Sequence, residues 1–106
     1  MSSTFSLITM PSTLEQIGNY SFRSMPNLSA LTIPASVTSI GQYVCRDDAA
    51  LLSVTILATT PPTLPSSHGF LHGSNNAKIY VPSTSVDTYK SAAGWSDYAS
   101  RIFAIQ

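Results

Sequence analysis

Charge is scarce in this chain: five basic and five acidic residues make up 9% of its 106 residues, against roughly 25% in an average soluble domain. Because the two signs cancel, there is no cationic footprint to neutralise phosphates, which argues against nucleic acid or an anionic lipid surface as a partner. Cysteine is nearly missing too. Cys45 stands alone, which rules out an internal disulfide framework, and no Cys/His group has zinc-finger spacing. No stretch approaches the ~18 consecutive apolar residues of a membrane span, so membrane insertion is not expected. Met1 to Phe5 lack the basic start and long apolar run of a signal peptide.

Hydrophobic residues are not lacking. At 43% they exceed what a disordered chain carries, and the length suits one domain. Serine and threonine take the place of charge, as in Ser2-Ser3-Thr4, Thr59-Thr60 and Ser83-Thr84-Ser85, so the exposed faces should carry hydroxyls.

The chain repeats itself. Phe5 to Asn27 lies over Leu28 to Ala50 with a period of 23: Ile8 meets Leu31, Met10 meets Ile33, Pro11 meets Pro34, Leu14 meets Val37, Ile17 meets Ile40, Gly18 meets Gly41 and Tyr20 meets Tyr43. A third copy starts at Leu51 with Leu51, Val54 and Ile56, then departs at the proline-rich run from Ala58. A longer return through Phe70 restores the strand-then-proline ending at Lys78 to Pro82, after 25 residues instead of 23.

Within each turn, Leu31-Thr32-Ile33-Pro34 alternates like a half-buried strand and is stopped by a proline that has no amide to donate. Val37 and Ile40 form a second inward pair. Gly18 and Gly41 suit a corner with positive φ or close backbone approach. One turn cannot bury its own apolar row, so the turns must stack. After Val81 the pattern changes to a helix start at Pro82 and Ser83 or Ser85, with Asp87 near its N-terminus and Gly94 at its end. Val86, Tyr89 and Ala93 share one face at helical spacing. A second helical piece over Trp95 to Ser100 and a strand at Ile102 to Ile105 should cover the last turn.

The unit Leu28 to Gly41, LSALTIPASVTSIG, resembles the BspA-like leucine-rich repeats of bacterial surface proteins. The ending from Ala77, AKIYVPSTSVDTYKSAAGWSDYASRIFAI, resembles the terminal segment of such proteins from gut Bacteroides-type bacteria. This resemblance implies a leucine-rich repeat β-solenoid, right-handed and mostly β, with about three 23-residue turns over residues 1–82. A short helical C-terminal cap and final strand over residues 83–106 complete one continuous domain. It further implies a place at the cell surface or outside the cell, a role in adhesion or recognition of a protein or glycan, and no cofactor. The missing signal peptide suggests an excised fragment, a truncated frame or a degenerate copy of a longer protein.

Two positions depart from the pattern. Met25 follows Ser21-Phe22 in the first turn, and Asp48 follows Val44-Cys45 in the second, where an inward residue is expected. A carboxylate there is expensive unless paired or solvated, so the wall of the second turn should open toward water or bend. Cys45, at the position of Phe22, reads as a small buried hydrophobe.

Chemistry finds little support. His68 and His72 are four apart, but Gly69 and Gly73 beside them disfavour a helix and no further ligand lies near, so no metal site is expected. Asp47-Asp48 lacks the alternating oxygens of a calcium loop and reads as a solvated turn. The two Asn-x-Ser sequons, at Asn19 and Asn27, arise readily where serine is abundant. No nucleophile motif stands out, and no catalytic residue is assigned.

The better candidate is a stacked surface. The period aligns Thr9, Thr32, Thr55 and Tyr80 in one outward column, and Leu7, Ala30, Ser53 and Lys78 in the next. Tyr20 and Tyr43 form a further column at a corner, and tyrosines supply rigid contact area for a partner. Against this, threonine ladders also arise from strand preference and cross-strand packing alone. The purely structural alternative is a terminal cap whose recognition lies elsewhere. The first turn would present Phe5, Ile8, Met10, Leu14, Ile17 and Phe22 as an apolar edge, together on the order of 10 kcal/mol if buried. Earlier repeats or a second copy should cover it, making a homo-oligomer through that turn a further expectation.

Overall fold

Side chains that alternate between apolar and more polar dictate a short strand in each repeat, ended by a proline after Ile33 and Val81, whereas Ile56 is followed by Leu57. The computed structural model describes residues 7–8, 11–22, 28–48, 50–65, 70–71, 73–74 and 77–105. In chain order the strands are β1 (Leu7–Ile8), β2 (Gln16–Ile17), β3 (Ala30–Ile33), β4 (Ser39–Ile40), β5 (Ser53–Ile56), β6 (Lys78–Val81) and β7 (Ile102–Ala104). All pairings between them are parallel. One sheet runs β1-β3-β5-β6-β7 and a smaller one pairs β2 with β4. A single bridge from Ser39 to Thr63 extends the smaller sheet into the third repeat.

The register reproduces the sequence period. Ile8 pairs with Leu31, Leu31 with Val54 and Ile17 with Ile40, each 23 apart, whereas Val54 pairs with Ile79 at a spacing of 25. The two extra residues of the third repeat are taken up between β5 and β6, leaving the ladder itself unbroken. Leu31, Ile33, Val54, Ile56, Ile79 and Val81 point inward and are buried. Val37 and Ile40 meet them from the opposite wall. Leu28, Leu51, Phe70 and Leu71 fill the remaining side of the core.

The prolines do more than stop strands. Leu14 donates its amide to the carbonyl of Pro11 at 3.1 Å, Val37 to Pro34 at 3.2 Å and Ser85 to Pro82 at 2.8 Å, so the same tight turn follows three of the strands. After Pro82 that turn continues as a 3₁₀ turn over Ser83–Ser85 and then as α1 (Val86–Ser91). A longer 3₁₀ segment, Trp95–Arg101, leads into β7. Both helical pieces and the last strand thus lie where the sequence pattern expects them. One detail differs. Ala93 is exposed, because α1 stops when Ala92 turns to extended backbone (φ −72°, ψ 146°), and it is Ala92 that packs on the core.

The corners differ more. Neither Gly18 nor Gly41 has positive φ; Tyr20 (φ 61°) and Tyr43 (φ 53°), two positions later, are left-handed instead, as is Asp47 (φ 59°). Gly41 is needed for close approach instead, since a Cβ there would lie 2.7 Å from the amide nitrogen of Asn19 and 2.9 Å from the carbonyl carbon of Gly18. At Gly18 a Cβ would meet nothing nearer than Ser21 Oγ at 3.7 Å.

At Asp48 one of the two expected alternatives is overturned: the wall does not open to water, because the residue is fully buried, but the backbone bends at the neighbouring, exposed Asp47 (φ 59°). Ser74 ties the backbone of this turn to the next repeat: its hydroxyl accepts the Asp48 amide at 2.9 Å and donates to the carbonyl of Cys45. The pair therefore does not form the fully solvated turn its composition suggests. At the first repeat, Ile17 is buried, and Leu14 and Phe22 pack against the core from partly exposed positions. Phe5, Met10 and Met25 lie outside the described residues.

Candidate binding surface

Along a parallel ladder, residues that share a face and a register position fall into a column with one member per strand, about 4.8 Å apart. The larger sheet therefore converts a period in sequence into rows of side chains in space. Ala30, Ser53 and Lys78 follow Leu7 in one column, and Thr32, Thr55 and Tyr80 form the next. These are the residues the period aligns, with Thr9 outside the described residues. Ala30, Thr32, Ser53, Thr55 and Tyr80 are half-buried, and Lys78 is exposed.

β7 adds a member that the reading of the repeats left out. Tyr80 pairs with Phe103, which is 41% exposed, and the two rings lie 6.0 Å apart at a tilt of 37°. The ammonium of Lys78 sits 5.7 Å from the Phe103 ring centroid, within the reach of a cation–π contact. Ser53, Thr55, Tyr80 and Ile105 line a shallow, open groove beside these rings. The signal was available in the sequence, since Phe103 lies one 23-residue step beyond Tyr80.

The second group is the tyrosine corner. Tyr20 donates its amide to the carbonyl of Gln42 at 2.9 Å, and Gln42 donates its own to Asn19 Oδ1 at 2.8 Å, locking consecutive corners together. The rings of Tyr20 and Tyr43 stack at 5.5 Å with 14° between planes. Arg46 lies over Tyr43 at 5.2 Å and pairs with Asp47 at 3.4 Å. Left-handed backbone costs a non-glycine residue about 1–2 kcal/mol, so the corner carries strain that stacking and ladder bonds offset. Tyr20 is 43% exposed and Tyr43 is half-buried. The two groups sit on different elements, one on the five-stranded sheet and the other in the turns after β2 and β4.

Around the cap, polar side chains are occupied with structure. Tyr89 donates its hydroxyl to the carbonyl of Ala58 at 2.6 Å, Ser85 to Thr59 at 2.8 Å and Trp95 Nε1 to Pro62 at 2.8 Å. Arg101 reaches the carbonyls of Ala77 and Ser74 at 2.9 and 2.6 Å. Burial raises the Tyr89 phenol above its ordinary range. Tyr98 is raised chiefly by burial too, while the Leu71 amide, which donates to its oxygen, and nearby Arg101 pull the other way. Cys45 is buried, and its thiol is pushed up by desolvation and secondarily by the charge of Asp48.

Among the described residues, no three His, Cys, Asp or Glu side chains gather as a metal site would require; His68 and His72 lie outside them. No helix among the described residues is long and apolar enough to cross a membrane. A comparison with curated proteins finds no match. The sequence model of the BspA type leucine rich repeat region, six copies, matches residues 1–93, which takes in the strands from β1 to β6 and α1. With repeats in register along one parallel sheet and that model matched over most of the chain, the protein belongs to the BspA type leucine-rich repeat family.

Proposed function

We propose that the chain is a non-catalytic binding module of a surface or secreted protein, wound as a right-handed β-solenoid and reading its ligand with the outward face of the five-stranded sheet. The observation that carries this reading is the column Thr32, Thr55, Tyr80 and Phe103, with Lys78 beside it. Side chains held by a backbone ladder are placed before a ligand arrives, so little ordering entropy is lost on binding. Membership of a repeat family supports a role in recognition, because stacked repeats create extended surfaces. The non-catalytic part of the reading rests on membership of the repeat family.

A glycan and matrix-protein array tests it, run with the purified chain beside a Lys78→Ala, Tyr80→Ala double variant matched for stability. Saturable binding that the double variant loses is the expected result. Binding that survives in the variant would move recognition to the tyrosine corner.

A second reading has its own support. Ser85, Tyr89, Trp95 and Arg101 all direct their donors at the preceding repeat, as a terminal cap should. Were termination the whole role, no probe would bind and the double variant would be indistinguishable from the parent.

A further inference from the structure

We infer that the groove at the β5–β7 end of the sheet takes an anionic saccharide, an inference that rests on the binding role proposed above. Three features converge there. The tilted pair Tyr80 and Phe103 offers an apolar ring surface, suited to the C–H face of a pyranose. Ser53 and Thr55 stand one strand away in the same rows, and a hydroxyl can donate to or accept from a sugar hydroxyl as needed. From Thr55 to Phe103 is two inter-strand steps, roughly 10 Å, about the span of a disaccharide.

The sign of the charge follows from what surrounds Lys78. The five strands of this sheet contain no Asp or Glu. Arg46 is paired with Asp47, on a corner. Arg101 is committed to the carbonyls of Ser74 and Ala77, and Lys90 is on α1. Lys78 is exposed, its ammonium lying over Phe103 and free of a carboxylate salt bridge among the described residues. A ligand lying on the ring pair would bring a carboxylate or sulfate substituent within its reach.

A peptide fits less well. The groove is shallow and open and is lined by Ser53 and Thr55, whereas protein anchors need desolvated pockets. An extended strand would bind at a sheet edge rather than across a face.

The test uses the whole chain with four probes: tri-galacturonate, its methyl ester, a heparin-derived tetrasaccharide and an acidic aromatic peptide. Calorimetry should give saturable binding of at least one acidic sugar, at least ten-fold tighter than the ester. Raising salt from about 0.05 to about 0.5 M should weaken the acid and spare the ester. Lys78→Gln should erase the difference between acid and ester, while Lys90→Gln, which removes the same charge from α1, should preserve it. Tyr80→Ala with Phe103→Ala should weaken both by at least ten-fold; if the pair unfolds, Phe103→Ala alone gives the readout at an exposed position. Equal binding of acid and ester would overturn the charge preference yet keep the binding role. Binding of the peptide alone would replace the saccharide with a protein partner. If no probe binds, and the array above is also blank, both readings fall.

Discussion

Two stretches of the same winding are held together in different ways. From Glu15 to Leu57, neighbouring repeats are joined by backbone: Thr38 donates to Glu15 and Gly41 to Ile17, both at 2.8 Å, Phe22 to Val44 at 2.9 Å and Leu57 to Ile33 at 3.0 Å. From Ala58 to Ala77 the carbonyls of Ala58, Thr59, Pro62, Ser74 and Ala77 are instead met by side chains of the cap. Pro61 and Pro62 have no amide to place in a ladder, and a buried carbonyl without a partner is costly. The regular repeats are therefore secured by their neighbours, whereas the irregular one keeps backbone bonds to its neighbour at Thr63 and Phe70 and adds the side chains that close over it.

The contrast can be broken most severely at Trp95. It is fully buried, packs edge-on against Phe70 and Tyr89 at 5.4 Å each, and satisfies Pro62. Trp95→Ala should lower unfolding free energy by roughly 3–5 kcal/mol, measured by denaturant titration, with amide exchange rising first around the third repeat. An equal rise across β3 and β4 would mean that the two stretches are not separate in stability.

Within the regular stretch, Gly41→Ala should cost about 2 kcal/mol from overpacking, and Gly18→Ala should be close to neutral. Equal melting temperatures for the two variants would mean that the close approach at Gly41 is unimportant. Arg101→Met keeps most of the stem and deletes two bonds to carbonyls. A loss of about 1.5 kcal/mol is expected, discounted for the partial exposure of the guanidinium.

Tyr89→Phe removes only the hydroxyl and should cost about 1 kcal/mol. It also has a pH signature. Because the folded state raises the Tyr89 pKa, its contribution is complete below the ordinary tyrosine value near ~10 and is lost as pH rises beyond it. Stability should fall with pH above ~10, and more gently in Tyr89→Phe; parallel curves would locate the alkaline loss elsewhere.

Much of this arrangement was legible in sequence because a parallel ladder repeats at fixed spacing. Leu31 and Val54, Thr32 and Thr55, and even the longer step from Ser53 to Lys78 could be aligned by inspection. What was not legible depends on contacts with no repeat behind them. Asp48 is buried where its backbone amide is held by Ser74, 26 residues away in an irregular return. Left-handed backbone falls on Tyr20, Tyr43 and Asp47 and not on the corner glycines, and the ring stacking that offsets it at the two tyrosines is a gain no single-residue preference contains. Phe103 escaped because it was read as part of a cap, although its spacing makes it the next rung after Tyr80.

The tight turn that follows three of the strands bears on what can come after a strand. Pro11, Pro34 and Pro82 are followed by the same hydrogen-bonded corner. The third leads into a helix while the other two lead onward around the stack. A further repeat and a helix thus share their first step, and the residues after the turn, not the turn itself, make the choice.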